Sequence, residues 1–211
     1  MITILTILAS AALTAVLVYF TAKLYLDEPL SRKDYLIIAA MSLANAASAY
    51  LAILNTETYM DALNVIVASI AVSTIVLIDK YKFIIPNKII IAFLITRIVL
   101  FVIELFTNNA MANVRSLVTS IVSAVVVVLF MLLVRLIAKG GIGLGDVKVL
   151  GAIAFMTGLW NVVFALLFGS VVSCLYVGGM LLAKKITKKE KIAFGPFIYI
   201  GLVISIIVGA F

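Results

Sequence analysis

The chain has 211 residues, of which 66% are hydrophobic and 12% charged, with a formal net charge of +7 and a mean hydropathy of +1.34. A soluble domain carries about a quarter charged residues, and half that density cannot cover a globule of this size with a solvated surface. Soluble globular and disordered folds are therefore nearly excluded. The single cysteine, Cys174, provides no disulfide framework and no CxxC metal or redox site, and there is no histidine. That removes histidine triads, histidine-ligated zinc or haem and histidine proton relays, so any acid–base chemistry must rest on carboxylates.

The apolar residues fall in eight runs separated by short charged clusters, the pattern of an all-α, polytopic membrane bundle. The first, Ile2 to Ala22, contains no charge. It lacks a basic n-region and outruns a signal-peptide core, so it reads as a span. The second, Tyr35 to Leu54, is rich in Ala and Ser; the third runs from Ala62 to Ile78, the fourth from Asn87 to Phe106 and the fifth from Val114 to Ile137. The sixth, Val147 to Met156, falls well under the ~20 residues of a full crossing, and the seventh runs from Asn161 to Ala183. The eighth, Phe197 to Phe211, is also short. With no long connection, repeat or linker, residues 1–211 read as one membrane-embedded domain without a separate soluble domain.

Charge orients the spans. Lys23, Arg32 and Lys33 share one connection, Lys80, Lys82 and Lys88 another, Arg135, Lys139 and Lys148 a third, and Lys184, Lys185, Lys188, Lys189 and Lys191 a fourth. The connections between these carry almost no basic residue, and only Arg97 and Arg115 of the 16 basic residues fall outside the alternation. Basic excess marks the cytoplasmic side. The expected topology is eight crossings with both termini outside, and the sixth segment must count as a crossing to keep the five-lysine loop inside. The basic balance is then a topology signal rather than a nucleic-acid footprint.

Of nine carboxylates, most have plain explanations. Asp27, Glu28 and Asp34 belong to a charged loop, Glu57 and Asp61 to the outer side, and Glu190 to a lysine cluster. Asp79 closes the third segment and on its own could simply mark where lipid ends. Asp146 follows Gly141-Ile142-Gly143-Leu144-Gly145. It could be an N-cap or be held by Lys148, but neither accounts for three alternating glycines. Glycine belongs where backbone bends sharply or approaches another group closely, so these suggest a carboxylate that a peptide backbone must reach. Both aspartates end segments on the same side and can converge at one depth. Two such carboxylates are the components of aspartyl general acid–base catalysis, sharing one proton and activating a water between them.

Arg97 and Glu104 lie seven residues apart in the fourth segment, about 10 Å along a helix axis at ~1.5 Å per residue. Direct pairing needs a bent or snorkelling side chain; a structural role for Arg97 competes with transport. Asn45, Ser48, Ser69, Ser73 and Thr74 are expected to make interhelical contacts. Gly169, Ser173 and Val177 read as a close-packing stripe, and Cys174 as a buried inert thiol. Pro86-Asn87 suits a helix start. Phe194-Gly195-Pro196-Phe197 is either a helix-start turn or part of the site.

These motifs resemble those of the type IV prepilin peptidases, membrane aspartyl peptidases of the GxGD class. Asp79 to Pro86-Asn87 is similar to the family's first aspartate stretch, Gly143-Leu144-Gly145-Asp146-Val147-Lys148 to its GxGDVK, and Phe194-Gly195-Pro196-Phe197 to its FGPF element. The resemblance covers Ala62 to the C-terminus. It implies catalysis by Asp79 and Asp146, supported by Gly143, Gly145, Lys148, Pro86, Asn87, Gly195 and Pro196, with no metal and no cofactor. The implied substrates are prepilins or pseudopilins, whose short basic leader is cut at the cytoplasmic face of the inner membrane. The implied partners are that substrate, the bilayer and pilus or secretion machinery, with no nucleic acid. Bacterial members carry a cysteine-containing cytoplasmic insertion after the first span and N-methylate the product; here the connection from Lys23 to Asp34 has no cysteine, which argues against methyltransferase activity. Ala193 stands where many members have proline. The alternatives are an ion- or proton-coupled transporter, which would place carboxylates at midspan, and an inactive peptidase-like scaffold.

Overall fold

The computed structural model describes residues 1–107, 110–139, 141–186 and 191–209. Lys188, Lys189 and Glu190, used in the charge reading, lie outside the described residues. The described residues form helices without strands: α1 (Ile2–Tyr25), α2 (Arg32–Asn55), α3 (Tyr59–Lys82), α4 (Asn87–Thr107), α5 (Ala110–Ile137), α6 (Leu144–Leu182) and α7 (Gly195–Val208). The first six contain stretches long and apolar enough to cross a membrane, while α7 has 14 residues.

The ends of these helices are written in local chemistry. Ser31 and Asp34 form a reciprocal capping box at the start of α2, and the Thr58 hydroxyl accepts from the Asp61 N–H at 3.1 Å at the start of α3. At the other end of α3, Phe83 takes a left-handed conformation, φ 54°, and returns its N–H to the Asp79 carbonyl at 2.9 Å. Pro86 stands immediately before α4.

The sixth and seventh apolar segments both belong to α6, which breaks at Gly158 (φ 82°, ψ 177°). Those angles are open to glycine and strained for any L side chain. Leu166 and Ser170 beyond the break line the same cavity as Gly143 and Asp146 before it. A straight helix would separate Asp146 from Ser170 by about 36 Å, so the two arms run back along each other. The short sixth segment is thus one arm of a hairpin.

The second arm pairs antiparallel with α7. The Ser205 hydroxyl donates to Asn161 Oδ1 at 2.5 Å, Gly201 lies against Ala165 and Gly169, and Gly169 lies against Phe197. A Cβ at Gly201 would come within 2.0 Å of the Ala165 carbonyl oxygen, so backbone meets backbone here. Helix α3 is buried along most of its length and contacts α1, α2, α4, α6 and α7. Asn45 ties four helices together: its Nδ2 donates to Thr14 Oγ1 at 2.8 Å and to Ser73 Oγ at 3.4 Å, while Tyr199 donates to its Oδ1 at 2.9 Å. Interhelical hydrogen bonds of this kind contribute about 0.6 kcal/mol each in a membrane.

Several expectations need correction. The Ser69 and Thr74 hydroxyls bond back to carbonyls of their own helix, at Ile66 and Ala71, although the Thr74 carbonyl accepts from the Thr21 hydroxyl of α1 at 3.4 Å; Ser48 Oγ is buried with no hydrogen-bond partner among the described residues. A Ser or Thr hydroxyl within a helix can share the carbonyl three residues back, which satisfies it locally. Cys174 is exposed, not buried, on the outward side of α6's second arm. Arg97 and Glu104 do meet, with Nη1 to Oε1 at 2.8 Å and both side chains almost wholly buried.

The bundle has two distinct ends. Asp79, Asn87, Asp146, Lys148 and Gly195 gather at one; Asn55, Asp61, Arg115, Gly158 and Gly209 gather at the other. Substituting Gly201→Ala forces α6 and α7 apart and should destabilise the fold by about 1–3 kcal/mol, read as a lower thermal midpoint in detergent. Gly178→Ala, where an added Cβ meets nothing within 4 Å, should leave that midpoint unchanged or slightly higher.

Candidate active site

Asp79 lies in the last turn of α3 and is 5% exposed. Its Oδ2 accepts the backbone N–H of Gly195 at 2.7 Å, across 116 residues of sequence. Gly195 is the first residue of α7, with Phe194 at the cap and Pro196 next. A helix begins with N–H groups that have no intrahelical acceptor and with the positive end of its dipole. The carboxylate supplies the acceptor and the opposite charge, as anions do at helix N-termini. Pro196 removes one N–H that would otherwise need a partner there. A Cβ at Gly195 would sit 2.8 Å from Asp79 Oδ2 and 3.1 Å from Asp79 Cβ. Only glycine lets the two backbones approach this closely.

Asp146 is the third residue of α6, not its cap; Gly143 holds the cap position. The carboxylate folds back to accept from the Gly143 backbone, and a Cβ at Gly143 would lie 3.0 Å from Asp146 Oδ2. This is the acidic half of a capping box, made without the usual side chain at the cap. Gly145 has another reason to be glycine. A Cβ there would come within 3.0 Å of Ile85 Cβ and 3.2 Å of its Cδ1. The glycine therefore packs the start of α6 onto the stretch between Asp79 and Pro86, where the sequence had suggested room for an approaching peptide.

Asp79, Gly143 and Asp146 line one cavity of about 900 Å³. Its other walls are apolar residues of α5 and α6, including Phe130, Val134 and Leu166, with Arg135 and Lys191 at the rim. Arg135, in the last turn of α5, donates through Nη1 to the Ile142 carbonyl and so spans the base of the glycine loop. Lys148 Nζ donates to Asn87 Oδ1 at 2.9 Å, tying the first turn of α6 to the first residue of α4. Gly145, Lys148, Pro86, Asn87, Gly195 and Pro196 lie outside the cavity lining. Among the described residues no three His, Cys, Asp or Glu side chains come together as a metal site.

One contributor escaped the sequence reading. Asp34, assigned there to a charged loop, is the third residue of α2 and 2% exposed. It accepts from Lys80 Nζ at 3.1 Å, from the Tyr81 hydroxyl at 2.7 Å and from both the N–H and hydroxyl of Ser31. The residues immediately after Asp79 are thus anchored to the start of α2. The signal was present in Ser31-Arg32-Lys33-Asp34, whose spacing fits a capping box with Asp in place of Glu. Lys80 is accounted for by this contact, and Lys82 pairs with Asp27 at 2.8 Å on the surface.

A family model described as the type IV leader peptidase family matches residues 65–178, a span that includes both aspartates and the glycine loop but ends before Gly195. The chain is also 26% identical over 131 residues to the prepilin leader peptidase/N-methyltransferase of Bacillus subtilis (strain 168), covering 62% of this chain and 50% of that protein. The match thus spans about half the length of that relative. No solved structure matches the chain.

Asp34→Ala would leave a partly buried Lys80 ammonium and the Tyr81 hydroxyl without their acceptor. A loss of about 1–3 kcal/mol is expected, seen as a lower thermal midpoint, with Asp34→Asn losing less because it can still accept.

Proposed function

The chain belongs to the type IV leader peptidase family, and we propose that it works as an aspartyl endopeptidase that removes the short basic leader from type IV prepilins or pseudopilins. The observation that carries this reading is the convergence of Asp79 and Asp146 on one cavity at one end of a membrane bundle. In a chain without histidine, paired carboxylates are the groups left to activate water.

The chemistry follows from their proximity. Two neighbouring carboxylates are costly to ionise together, so the pair holds one proton and titrates as a unit. The ionised member takes a proton from a water held between them, and the resulting hydroxide attacks the scissile carbonyl. The protonated member hydrogen-bonds the carbonyl oxygen as charge develops there, then a proton passes to the departing amine as the C–N bond breaks. Both carboxylates sit on helix N-terminal backbone, so their positions are held by main chain rather than by long side chains. The apolar walls contributed by α5 and α6 suit a substrate whose cleavage site borders a hydrophobic helix.

The alternation of basic residues supports a cytoplasmic position for the aspartate end of the bundle, where a short basic leader would lie. Pairing of Lys80 with Asp34 and of Lys82 with Asp27 lessens their repulsion toward such a leader. On this reading the protein is a multi-pass protein of the cytoplasmic membrane with both termini outside. Its partners are the prepilin substrate and pilus or secretion machinery. The methyltransferase activity in the relative's name is not carried over, because the α1–α2 connection holds no cysteine-bearing insertion.

The test is co-expression in membranes with prepilins encoded beside the gene, reading substrate N-termini by mass spectrometry. Wild type should remove the leader and leave the new N-terminus unmethylated. Asp79→Asn and Asp146→Asn, each checked for folding, should each lose about 10²–10⁴-fold in rate. Gly195→Ala, which pushes the Asp79 carboxylate aside, should lose about 10²-fold. Cleavage persisting at wild-type rates in both folded aspartate variants would overturn the assignment.

A further inference from the structure

The buried pair Arg97–Glu104 takes no part in the chemistry proposed for the aspartates, and it lies toward the opposite end of the bundle. A charge inside a span is costly, and it marks a ligand or ion path more often than an accident of packing. The pair answers its own Coulombic need through the 2.8 Å contact. It does not explain the cavity of about 640 Å³ that opens beside it.

The walls of this cavity are divided by charge. On the α2–α3 side stand Glu57, Asp61 and Asn64; on the α4–α5 side stand Arg97 and Arg115. Two buried atoms there have no hydrogen-bond partner among the described residues, and they divide the same way. Asn64 Oδ1, an acceptor, belongs to the acidic wall, and Arg97 Nε, a donor, to the basic wall. Asn64 Nδ2 is already committed, donating to Glu104 Oε1 at 3.0 Å, which fixes which end of the amide is left over. A buried polar atom without a partner costs about 1–3 kcal/mol, so each of the two calls for a complementary group.

A simple anion would satisfy the arginine wall but face Glu57 and Asp61. A simple cation would do the reverse. A molecule with an ammonium at one end and a phosphate at the other meets both walls, its N–H groups toward Asn64 Oδ1 and the carboxylates, its oxygens toward Arg97 and Arg115. The cavity lies where α2 and α7 end, at the level where a spanning bundle meets lipid headgroups. Its volume is within the range of small-molecule sites. We propose that this cavity binds the phosphoethanolamine group, presented by phosphatidylethanolamine or as the free headgroup.

The proposal is tested on delipidated full-length protein in detergent, by native mass spectrometry and thermal-shift titration. The probes are short-chain phosphatidylethanolamine, phosphatidylglycerol, phosphatidylcholine and soluble O-phosphoethanolamine. Phosphatidylethanolamine should bind at least tenfold more tightly than phosphatidylglycerol, which lacks the amine, and than phosphatidylcholine, whose quaternary nitrogen has no N–H to donate. Arg115→Gln and Glu57→Gln, at exposed positions that should not disturb folding, should each weaken that binding at least tenfold. Competition by soluble O-phosphoethanolamine would identify the headgroup alone as sufficient, and its failure to compete would identify the intact lipid as the occupant. Equal binding of the three lipids, or wild-type affinity in both variants, would overturn the proposal. None of these outcomes depends on whether the aspartates cleave a peptide.

Discussion

The hydrogen bond from the Gly195 N–H to Asp79, 2.7 Å long, is the contact on which the candidate site depends. It joins the end of the central helix to the start of the last one. A hydrogen bond to a charged group contributes about 1.5–3 kcal/mol, but its greater consequence is geometric. The carboxylate is held against backbone, so its position follows from where α7 begins. That in turn follows from the close backbone contact of α7 with the second arm of α6, at Gly169 and Gly201. The first arm of the same helix carries Asp146 and is pressed onto Ile85 through Gly145. The break at Gly158 lets one helix serve both aspartates, presenting one itself and positioning the cap of the other.

The remaining charges near this end are organised around the same elements. Asp34 gathers Lys80, Tyr81 and Ser31 behind Asp79, Lys148 meets Asn87 below Asp146, and Arg135 closes the glycine loop onto α5. Each contact joins a residue of one motif to a neighbouring element, so the motifs are tied in by their surroundings as well as by each other. At the opposite end Arg97 and Glu104 form a separate polar cluster with its own cavity. The molecule is thus apolar around its circumference and chemically distinct at its two ends, as a bundle meeting two interfaces requires.

The helical architecture and the aspartate motifs were legible because they rest on local patterns: unbroken apolar runs, alternating basic connections, and glycines and prolines at fixed distances from acids. The reversal in α6 was legible only indirectly. Charge alternation asked for a reversal around the short sixth segment, and the break at Gly158 is where α6 turns back on itself. What escaped depended on contacts across the sequence. Gly145 read as room for a peptide because Ile85 could not be seen beside it. Asp34 read as a loop charge because its partners lie 46 and 47 residues away. Cys174 read as buried because an apolar helix gives no sign of which face meets lipid. Whether Arg97 and Glu104 pair stayed open, since sequence spacing shows that a long guanidinium must bend along the axis to reach but not that it does.

The most direct test of the account is amide hydrogen exchange at Gly195 in wild type and in an Asp79→Ala variant. Pro196 carries no N–H, so the Gly195 amide can be followed without its C-terminal neighbour. The expected result is strong protection in wild type and exchange at least tenfold faster once the carboxylate is gone, with the rest of α7 little changed. Equal exchange in the two proteins would mean that Asp79 does not hold the start of α7, and the explanation of how the two aspartates are brought together would fail.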